Sequence, residues 1–354
     1  MQHRFCFLGL LAGILLGVLA APVAHAQIGG ARTMQFLDLP TSARLAGLGG
    51  ANVSAPAPND PQAVLGNPAL LDSAMTGKLA FSYVNFVRDL SQNSLQYGFR
   101  AGKLGTLSAG LTYLGYGTLD GFDDAGNSTG TFSAQDYAFS LTAARRQGPF
   151  TLGATVRLAA SAYAANKSSA VAADFGARFQ HPEHQLSVGL AVRTVGVQLR
   201  AFEGAEREPL PFDVQLGVSF KPAHMPVRFS ATAHRLYQAD VVYLDPSAPG
   251  KLDENNNEIK PKKTVADKIG RHLIGSAEIL LSKNLNLRVG YNYLRRRELR
   301  LENVSGGSGF SFGAMLKAGA FQLEFTRALY GPAGGGTYLT VVSDLHRVFR
   351  RKSS

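Results

Sequence analysis

The sequence predicts an all-β fold, a transmembrane antiparallel β-barrel of about 14 strands with an N-terminal plug, or hatch, in its lumen. Three observations predict it. From about residue 78 onwards, successive segments alternate apolar and polar side chains, which gives each strand one face of each kind. The connections between these segments are alternately short and long, which is typical of barrels that cross an outer membrane. Residues 27–77 lack the alternation altogether.

The first 26 residues have the composition of a secretory signal peptide. A charged start precedes an apolar run at 5–21, and residues 24–26 have the A-x-A pattern of a cleavage site. We therefore expect export and cleavage after Ala26. A membrane anchor is the alternative, but the apolar run is short and no basic stop-transfer flank follows it. Cys6, the only cysteine, lies in this segment, so the mature chain would hold no disulfide and no thiolate metal site.

The charge and composition favour a membrane protein over a nucleic-acid-binding one. The formal net charge is +11, but the basic residues are scattered over strands, loops and the tail rather than clustered. Such a surface suits anionic lipid head groups or lipopolysaccharide. Tryptophan is absent while the chain has 21 phenylalanines and 12 tyrosines, so any interfacial girdle would consist of these two residue types.

The alternation is clearest between 211 and 221. Apolar residues there alternate with Asp213, Gln215, Gly217, Ser219 and Lys221. Charged residues on the second face do not suit the core of a sandwich. They suit a lumen, with the apolar face in lipid.

The pattern divides residues 78–354 into fourteen strands and their connections. We predict strands near 78–87, 93–101, 104–115, 134–146, 149–162, 170–180, 184–195, 211–221, 225–237, 271–282, 284–296, 307–318, 319–330 and 337–347. The predicted wide connections are 88–92, 116–133, 163–169, 196–210, 238–270, 297–306 and 331–336. With both termini on the side of the tight turns, the wide loops would face outside the cell.

Residues 27–77 hold too little apolar mass to form a core of their own. Two short helical turns are predicted within them, at 41–47 and at 60–66, where Asp60 caps the start and Pro61 takes the first helical position. We expect this segment to be ordered inside the barrel as a plug. A flexible periplasmic linker is the alternative.

No catalytic residue, cofactor or metal site is predicted. The G-x-S-x-G pattern at 309–313 lies within a predicted strand and lacks the helix that a nucleophile elbow needs. Two histidines at 181 and 184 lie in a tight turn without a third ligand. The start of a calcium loop at 253–257 lacks the glycine and glutamate that complete such a loop.

Two loop features are candidate docking sites. A basic cluster at the predicted outer rim, which could bind lipopolysaccharide or an acidic partner or simply be solvated, consists of Arg295, Arg296, Arg297 and Arg300. The tip of the longest predicted loop, a possible partner-binding element, consists of Asp253, Glu254, Asn255, Asn256 and Asn257.

The N-terminal segment resembles a known family. The residues that carry the resemblance, within 36–50 and 65–71, are Pro40, Ser42, Ala43, Arg44, Gly49, Gly50, Asn67, Pro68 and Ala69. This hatch motif resembles that of the PorQ-like outer-membrane barrels of the type IX secretion system, which are related to PorV and, more loosely, to the fourteen-stranded FadL-like group.

The resemblance implies a non-enzymatic role in the attachment complex at the cell surface. Its members would anchor a PorZ-like surface protein near PorV- and PorU-like partners, which fix secreted proteins to lipopolysaccharide. The basic tail after Phe349 departs from the usual terminal aromatic residue. The competing hypothesis is FadL-like uptake of hydrophobic small molecules past the hatch.

Overall fold

The computed structural model describes residues 32–86, 89–123, 125–242, 251–252, 258–259, 263–299, 306–331 and 334–350. The strands are β1 Lys78–Asn85, β2 Ser91–Arg100, β3 Thr106–Phe122, β4 Ser128–Gln147, β5 Phe150–Tyr163, β6 Asn166–Gln180, β7 Leu186–Arg200, β8 Asp213–Phe220, β9 Val227–Ala233, β10 Lys251–Leu252, β11 Glu258–Ile259, β12 Leu273–Leu280, β13 Leu285–Asn292, β14 Phe310–Ala318, β15 Phe321–Gly331 and β16 Gly334–Asp344. The α-helices are α1 Ala43–Gly47, α2 Val265–Arg271, α3 Tyr293–Glu298 and α4 Leu345–Arg350. Short 3-10 helices span Gln35–Asp38, Pro61–Leu65, Pro68–Leu70, Ser73–Met75 and Gly102–Leu104.

Fourteen of these strands close an antiparallel barrel, as predicted. Each strand pairs with its neighbours in the chain, and β1 pairs with both β2 and β16, so that Phe81 lies between Leu95 and Val341. The short β10–β11 hairpin interrupts the order, and β9 pairs directly with β12. Closure removes every sheet edge, which the interior of a bilayer requires.

The polarity of the two faces of the barrel wall, the closed fourteen-stranded sheet, is reversed relative to that of a soluble protein. In β8 the buried residues are Asp213, Gln215, Gly217 and Ser219, whereas Leu216, Val218 and Phe220 are exposed on the outside. The same polar-in, apolar-out order recurs around the barrel. An apolar exterior is stable only in lipid, so the polarity of the wall confirms a transmembrane barrel.

Aromatic residues form belts near both rims of this apolar exterior. At the end of the barrel where the short turns lie, here called the turn end, the belt includes the pairs Phe150–Phe179 and Phe220–Phe229. Towards the opposite, loop end, Tyr113 packs on Tyr137 with their rings 5.2 Å apart. Both termini of the described barrel lie at the turn end. Phenylalanine and tyrosine thus take the interfacial position that tryptophan often takes elsewhere.

The predicted loop lengths are partly wrong. Most of 116–133 is strand, because β3 and β4 continue pairing past a register shift, with Thr118 opposite Ser133 and Asp120 opposite Thr131. Only residues 164–165 separate β5 from β6, in place of the predicted loop 163–169. Polar residues beyond the apolar belt still pair through their backbones, so a loss of apolar alternation does not end a strand.

The predicted strand 284–296 also ends early. β13 stops at Asn292, whose side-chain oxygen accepts a hydrogen bond of 2.9 Å from the Arg295 amide and so caps α3. The predicted strand 337–347 likewise ends at Asp344, and α4 follows. Across the described part of the chain, no helix has the length and hydropathy needed to span a membrane.

Candidate functional site: the plug and the lumen

The N-terminal segment runs through the barrel from the loop end to the turn end. The Thr33 amide donates to the carbonyl of Pro209, in the loop before β8, over 3.1 Å. At the other end, the Gly77 amide donates to the Gly98 carbonyl in β2 over 2.7 Å. Between these points the chain contacts lumen-facing residues of most strands. We call residues 32–77 the plug.

Both helical turns predicted in the plug are present. Ser42 caps α1 by accepting a hydrogen bond from the Leu45 amide at 3.2 Å. Asp60 caps the 3-10 helix Pro61–Leu65 through the Gln62 amide at 2.9 Å. Because caps satisfy the first amides locally, these short helices can lie against a wall without unpaired donors.

Asn67, Pro68 and Ala69 of the hatch motif form a second fixed turn. The Asn67 side chain is fully buried; its oxygen accepts from the Ala69 amide at 2.9 Å, and its nitrogen donates to the Val53 carbonyl at 2.7 Å. One asparagine therefore caps the helix Pro68–Leu70 and joins it to another part of the plug. An aspartate could not supply this donor.

Glycines in the wall allow the plug to touch the strand backbone. A Cβ added to Gly176 would lie 2.0 Å from the Asn67 side-chain oxygen, and one added to Gly153 would lie 2.5 Å from the Pro68 carbonyl carbon. Close contacts of the same kind occur at Gly98, Gly189, Gly217 and Gly290. Glycines at lumen-facing strand positions thus mark where the plug contacts the wall.

Gly49 and Gly50 of the hatch motif need glycine for two reasons. Their φ angles are +90° and +102°, a region that other residues rarely adopt. A Cβ would also lie 2.5 Å from Ile274 in the first case and 2.8 Å from the Arg295 guanidinium in the second. Pro40 packs beside Gly50.

A buried ionic network joins the plug to the turn-end half of the wall. Arg44 donates to both oxygens of Glu278 at 3.3 Å, and Glu278 also pairs with Arg228 and Arg288. Arg288 in turn pairs with Glu324 at 2.6 Å. Breaking one partner of a buried pair commonly costs about 3–5 kcal/mol, so this network resists displacement of α1.

In the loop-end half, wall arginines hold the plug backbone. Arg157, paired with Asp174 at 2.6 Å, donates to the carbonyls of Leu37 and Leu65 at 3.3 and 3.1 Å. Arg193 donates to the Leu37 carbonyl at 3.0 Å and pairs with Asp38 at 3.2 Å. The sequence did not predict these contacts. An arginine within strand alternation indicates only that its face of the strand is polar.

An apolar region of the lumen lies on the side formed by β3–β6. Its wall consists of lumen-facing residues of β3, β4, β5 and β6, namely Leu114, Ala138, Ala159, Ala170 and Ala172, with Leu210 from the loop before β8. The plug fills it with Met34, Phe36 and Leu37, which are 3–6% exposed. We call this region the chamber. In the sequence, the chamber is marked by alanine or leucine at lumen-facing strand positions. Elsewhere in the alternation such positions carry Ser, Thr or Gln.

Cavities remain beside the plug, among them one at each end of the barrel. One of about 940 Å³ opens at the turn end, where Asp72 of the plug faces Arg100, Arg146 and Arg178. The other, of about 190 Å³, lies at the loop end between the plug and the β7–β13 side of the wall.

The three described arginines of the predicted basic rim contact three different groups. Arg295 lies over the Tyr330 ring at 4.5 Å, Arg296 donates to the Gly306 carbonyl, and Arg297 pairs with Asp267 of α2 at 3.0 Å. Arg300 and the loop tip Asp253, Glu254, Asn255, Asn256 and Asn257 lie outside the described residues. Binding of lipopolysaccharide or a partner at these sites stays a prediction.

The sequence motifs that resemble catalytic or metal-binding patterns have structural roles. Ser311 of the G-x-S-x-G pattern is a buried residue of β14 and lies 3.4 Å from the Gly47 carbonyl oxygen. His181 accepts amide hydrogen bonds within the β6–β7 turn. In the described ranges, no group of three or more His, Cys, Asp or Glu residues could hold a metal ion.

Comparison with known proteins supports the fold. No protein-family model and no curated protein matches the chain. Among solved structures, the chain is similar to the Ralstonia pickettii toluene transporter TbuX, with a TM-score of 0.50 and 14% identity over 86% of this chain and 97% of that one. It is also similar to a mutant of the TodX monoaromatic hydrocarbon channel, with a TM-score of 0.50 and 12% identity over 86% and 98% of the two chains. At these identities the likeness establishes a shared β-barrel fold.

Proposed function

We propose that the chain is an outer-membrane barrel that admits hydrophobic small molecules through the chamber at its loop end. In this arrangement the turn end faces the periplasm and the loops face outside the cell. The solved structures of similar fold are a toluene transporter and a monoaromatic hydrocarbon channel, which favours this class of substrate.

The chamber is the observation that carries the proposal. A lumen lined by polar side chains changes to Leu114 and four alanines where β3–β6 approach the loop end. Small apolar residues there leave room for three large side chains of the plug. A ligand that displaced Met34, Phe36 and Leu37 would meet the same apolar surface, and such pockets commonly hold apolar ligands.

Passage would require the plug to move, because it occupies the lumen along its length. A disulfide between plug and wall tests this. Ser54 of the plug and Ser219 of β8 have their hydroxyl oxygens 2.7 Å apart, so Ser54→Cys with Ser219→Cys should allow a bond. Thr142 and Thr155, whose hydroxyls are also 2.7 Å apart, both belong to the wall and offer a matched control pair.

We expect cells that express the barrel to take up toluene faster than cells without it. Oxidation of the Ser54→Cys/Ser219→Cys pair should reduce uptake to the level of cells without the barrel. Reduction of the disulfide should restore uptake. Oxidation of the Thr142→Cys/Thr155→Cys pair should leave uptake unchanged. Equal uptake with and without the barrel would refute the proposal.

Anchoring of surface partners in type IX secretion is the second candidate. It is supported by the resemblance of the hatch motif and by the many buried contacts that hold the plug in place, Arg44 with Glu278 and Asn67 with Val53 among them. A barrel that serves as an anchor needs no moving plug. PorZ-, PorV- and PorU-like proteins and lipopolysaccharide would then be its partners.

The disulfide lock also separates the two candidates. If the barrel anchors partners, the oxidised Ser54→Cys/Ser219→Cys variant should still capture surface proteins from solubilised outer membranes. Deletion of residues 238–270 should abolish capture. If the barrel is a transporter only, neither variant captures such proteins.

A further inference from the structure

The 190 Å³ cavity at the loop end is a candidate ligand site separate from the chamber. Plug residues Asp38, Pro40 and Gly50 form one side, and residues of the wall and α3 form the other. No residue that lines it belongs to the chamber. It is smaller than the roughly 300–1,000 Å³ of pockets for drug-sized molecules, so it suits a small ligand.

His234 points to a polar ligand. This residue follows β9 and is only 8% exposed, yet its Nε2 atom has no hydrogen-bond partner among the described residues. It lines the cavity. A buried ring nitrogen without a partner costs about 1–3 kcal/mol, which a ligand acceptor would recover.

The carboxylates of the cavity already have partners. Asp38 pairs with Arg193 at 3.2 Å, and Glu298 lies 3.9 Å from Arg235. Asp213 accepts from the Arg235 amide and the Gln215 side chain, both at 2.6 Å. None of these three carboxylates is hydrogen-bonded or ion-paired to the Arg295 guanidinium.

Arg295 is the remaining cation. Its guanidinium lies 4.5 Å from the centre of the Tyr330 ring and beside Gly50, where a Cβ would lie 2.8 Å from Nη2. Within the described ranges, no carboxylate forms an ion pair with it. Arg295 lines the cavity, and a guanidinium group matches a carboxylate.

We propose that this cavity binds a small monocarboxylate, with its oxygens on Arg295 and on the Nε2–H of His234. Three arginines and three carboxylates line the cavity, so their charges balance, and the carboxylates repel a monoanion less than a dianion such as phosphate. Ile274 and Leu294 provide an apolar surface for a short alkyl group.

The test uses butyrate and the mature, detergent-solubilised barrel. Saturation-transfer NMR should show butyrate bound to the wild type and little binding of butyramide, which has the same shape without charge. Arg295→Gln and His234→Phe should each weaken butyrate binding by about tenfold, since each removes one donor. Arg297→Gln is the matched control, because Arg297 pairs with Asp267 of α2.

Gel mobility with and without boiling confirms that each variant is a folded barrel. The proposal is overturned if the wild type does not bind butyrate, if butyramide or inorganic phosphate binds equally well, or if the control variant loses as much affinity as Arg295→Gln. Toluene uptake does not enter this test, so its result is independent of the transport proposal.

Discussion

Single glycines determine how closely the plug approaches the wall. Gly290 of β13 faces the lumen, and a Cβ at this position would lie 2.3 Å from the Gly49 amide nitrogen of the plug. Gly275 of the neighbouring β12 faces outwards, and no atom lies within 4 Å of its added Cβ. Two glycines on adjacent strands thus differ in whether the plug depends on them.

This difference predicts the effect of one methyl group. Gly290→Ala should loosen the plug, because overpacking costs about 1–3 kcal/mol and the atom that the new methyl group would meet is backbone. Gly275→Ala should have little effect or stabilise slightly. Arg44 is the only basic residue at 33–77, so trypsin cleavage after Arg44 reports loosening directly. Equal cleavage rates in the two variants would contradict the role of Gly290.

At the scale of elements, the long connection between β9 and β12 is held by charged side chains. Asp267 of α2 accepts from Arg271, Arg297 and Tyr293, each at 3.0 Å, so α2 and α3 are joined. Asp240 adds a second link by pairing with Lys263 and Lys268 at 3.1 and 3.0 Å. These helices cover the loop end beside the small cavity.

The Asp240 link predicts a pH dependence. A hydrogen bond from the Val242 amide, with those from Lys268 and Lys263, lowers the pKa of Asp240 to about 2. Because the folded pKa is depressed, the link is fully present above about pH 4, the ordinary aspartate pKa, and is lost as the pH falls towards 2. The effect is modest, since the pair is partly exposed.

A spin label at Val265→Cys, an exposed position at the start of α2, measures this effect. Its mobility should rise between pH 4 and pH 2 in the wild-type background. With Asp240→Asn the mobility should be raised already at pH 6 and change less with pH. A label equally immobile in both backgrounds at pH 6 would show that Asp240 does not hold α2.

At the scale of the whole molecule, local patterns in the sequence were sufficient for the architecture. Alternation predicts all fourteen strands and their inner and outer faces, and its absence distinguishes the plug from the wall. Long-range partners were not predictable in this way. Arg44 and Glu278 are 234 positions apart, and nothing near either residue indicates the other. Likewise, His234 and Arg295 line one cavity because β9 pairs with β12 and β12 pairs with β13.

The ionic network around Glu278 is balanced in charge without the plug. Within the ionic network, Arg228 and Arg288 of the wall face Glu278 and Glu324, also of the wall, while Arg44 belongs to the plug. Within this network, removal of the plug leaves two positive and two negative groups, whereas Arg193, which loses its partner Asp38, would then face a water-filled lumen. A barrel that begins at Lys78 should still fold.

Such a barrel should conduct ions, because water would fill a lumen lined by polar residues such as Gln92, Gln96 and Thr142. In planar bilayers, deletion of residues 27–77 should raise single-channel conductance about tenfold or more over the intact chain. The oxidised Ser54→Cys/Ser219→Cys variant should stay closed, as a control for leakage around the barrel. If the folded deletion variant conducts no better than the intact chain, the plug is not what closes the lumen.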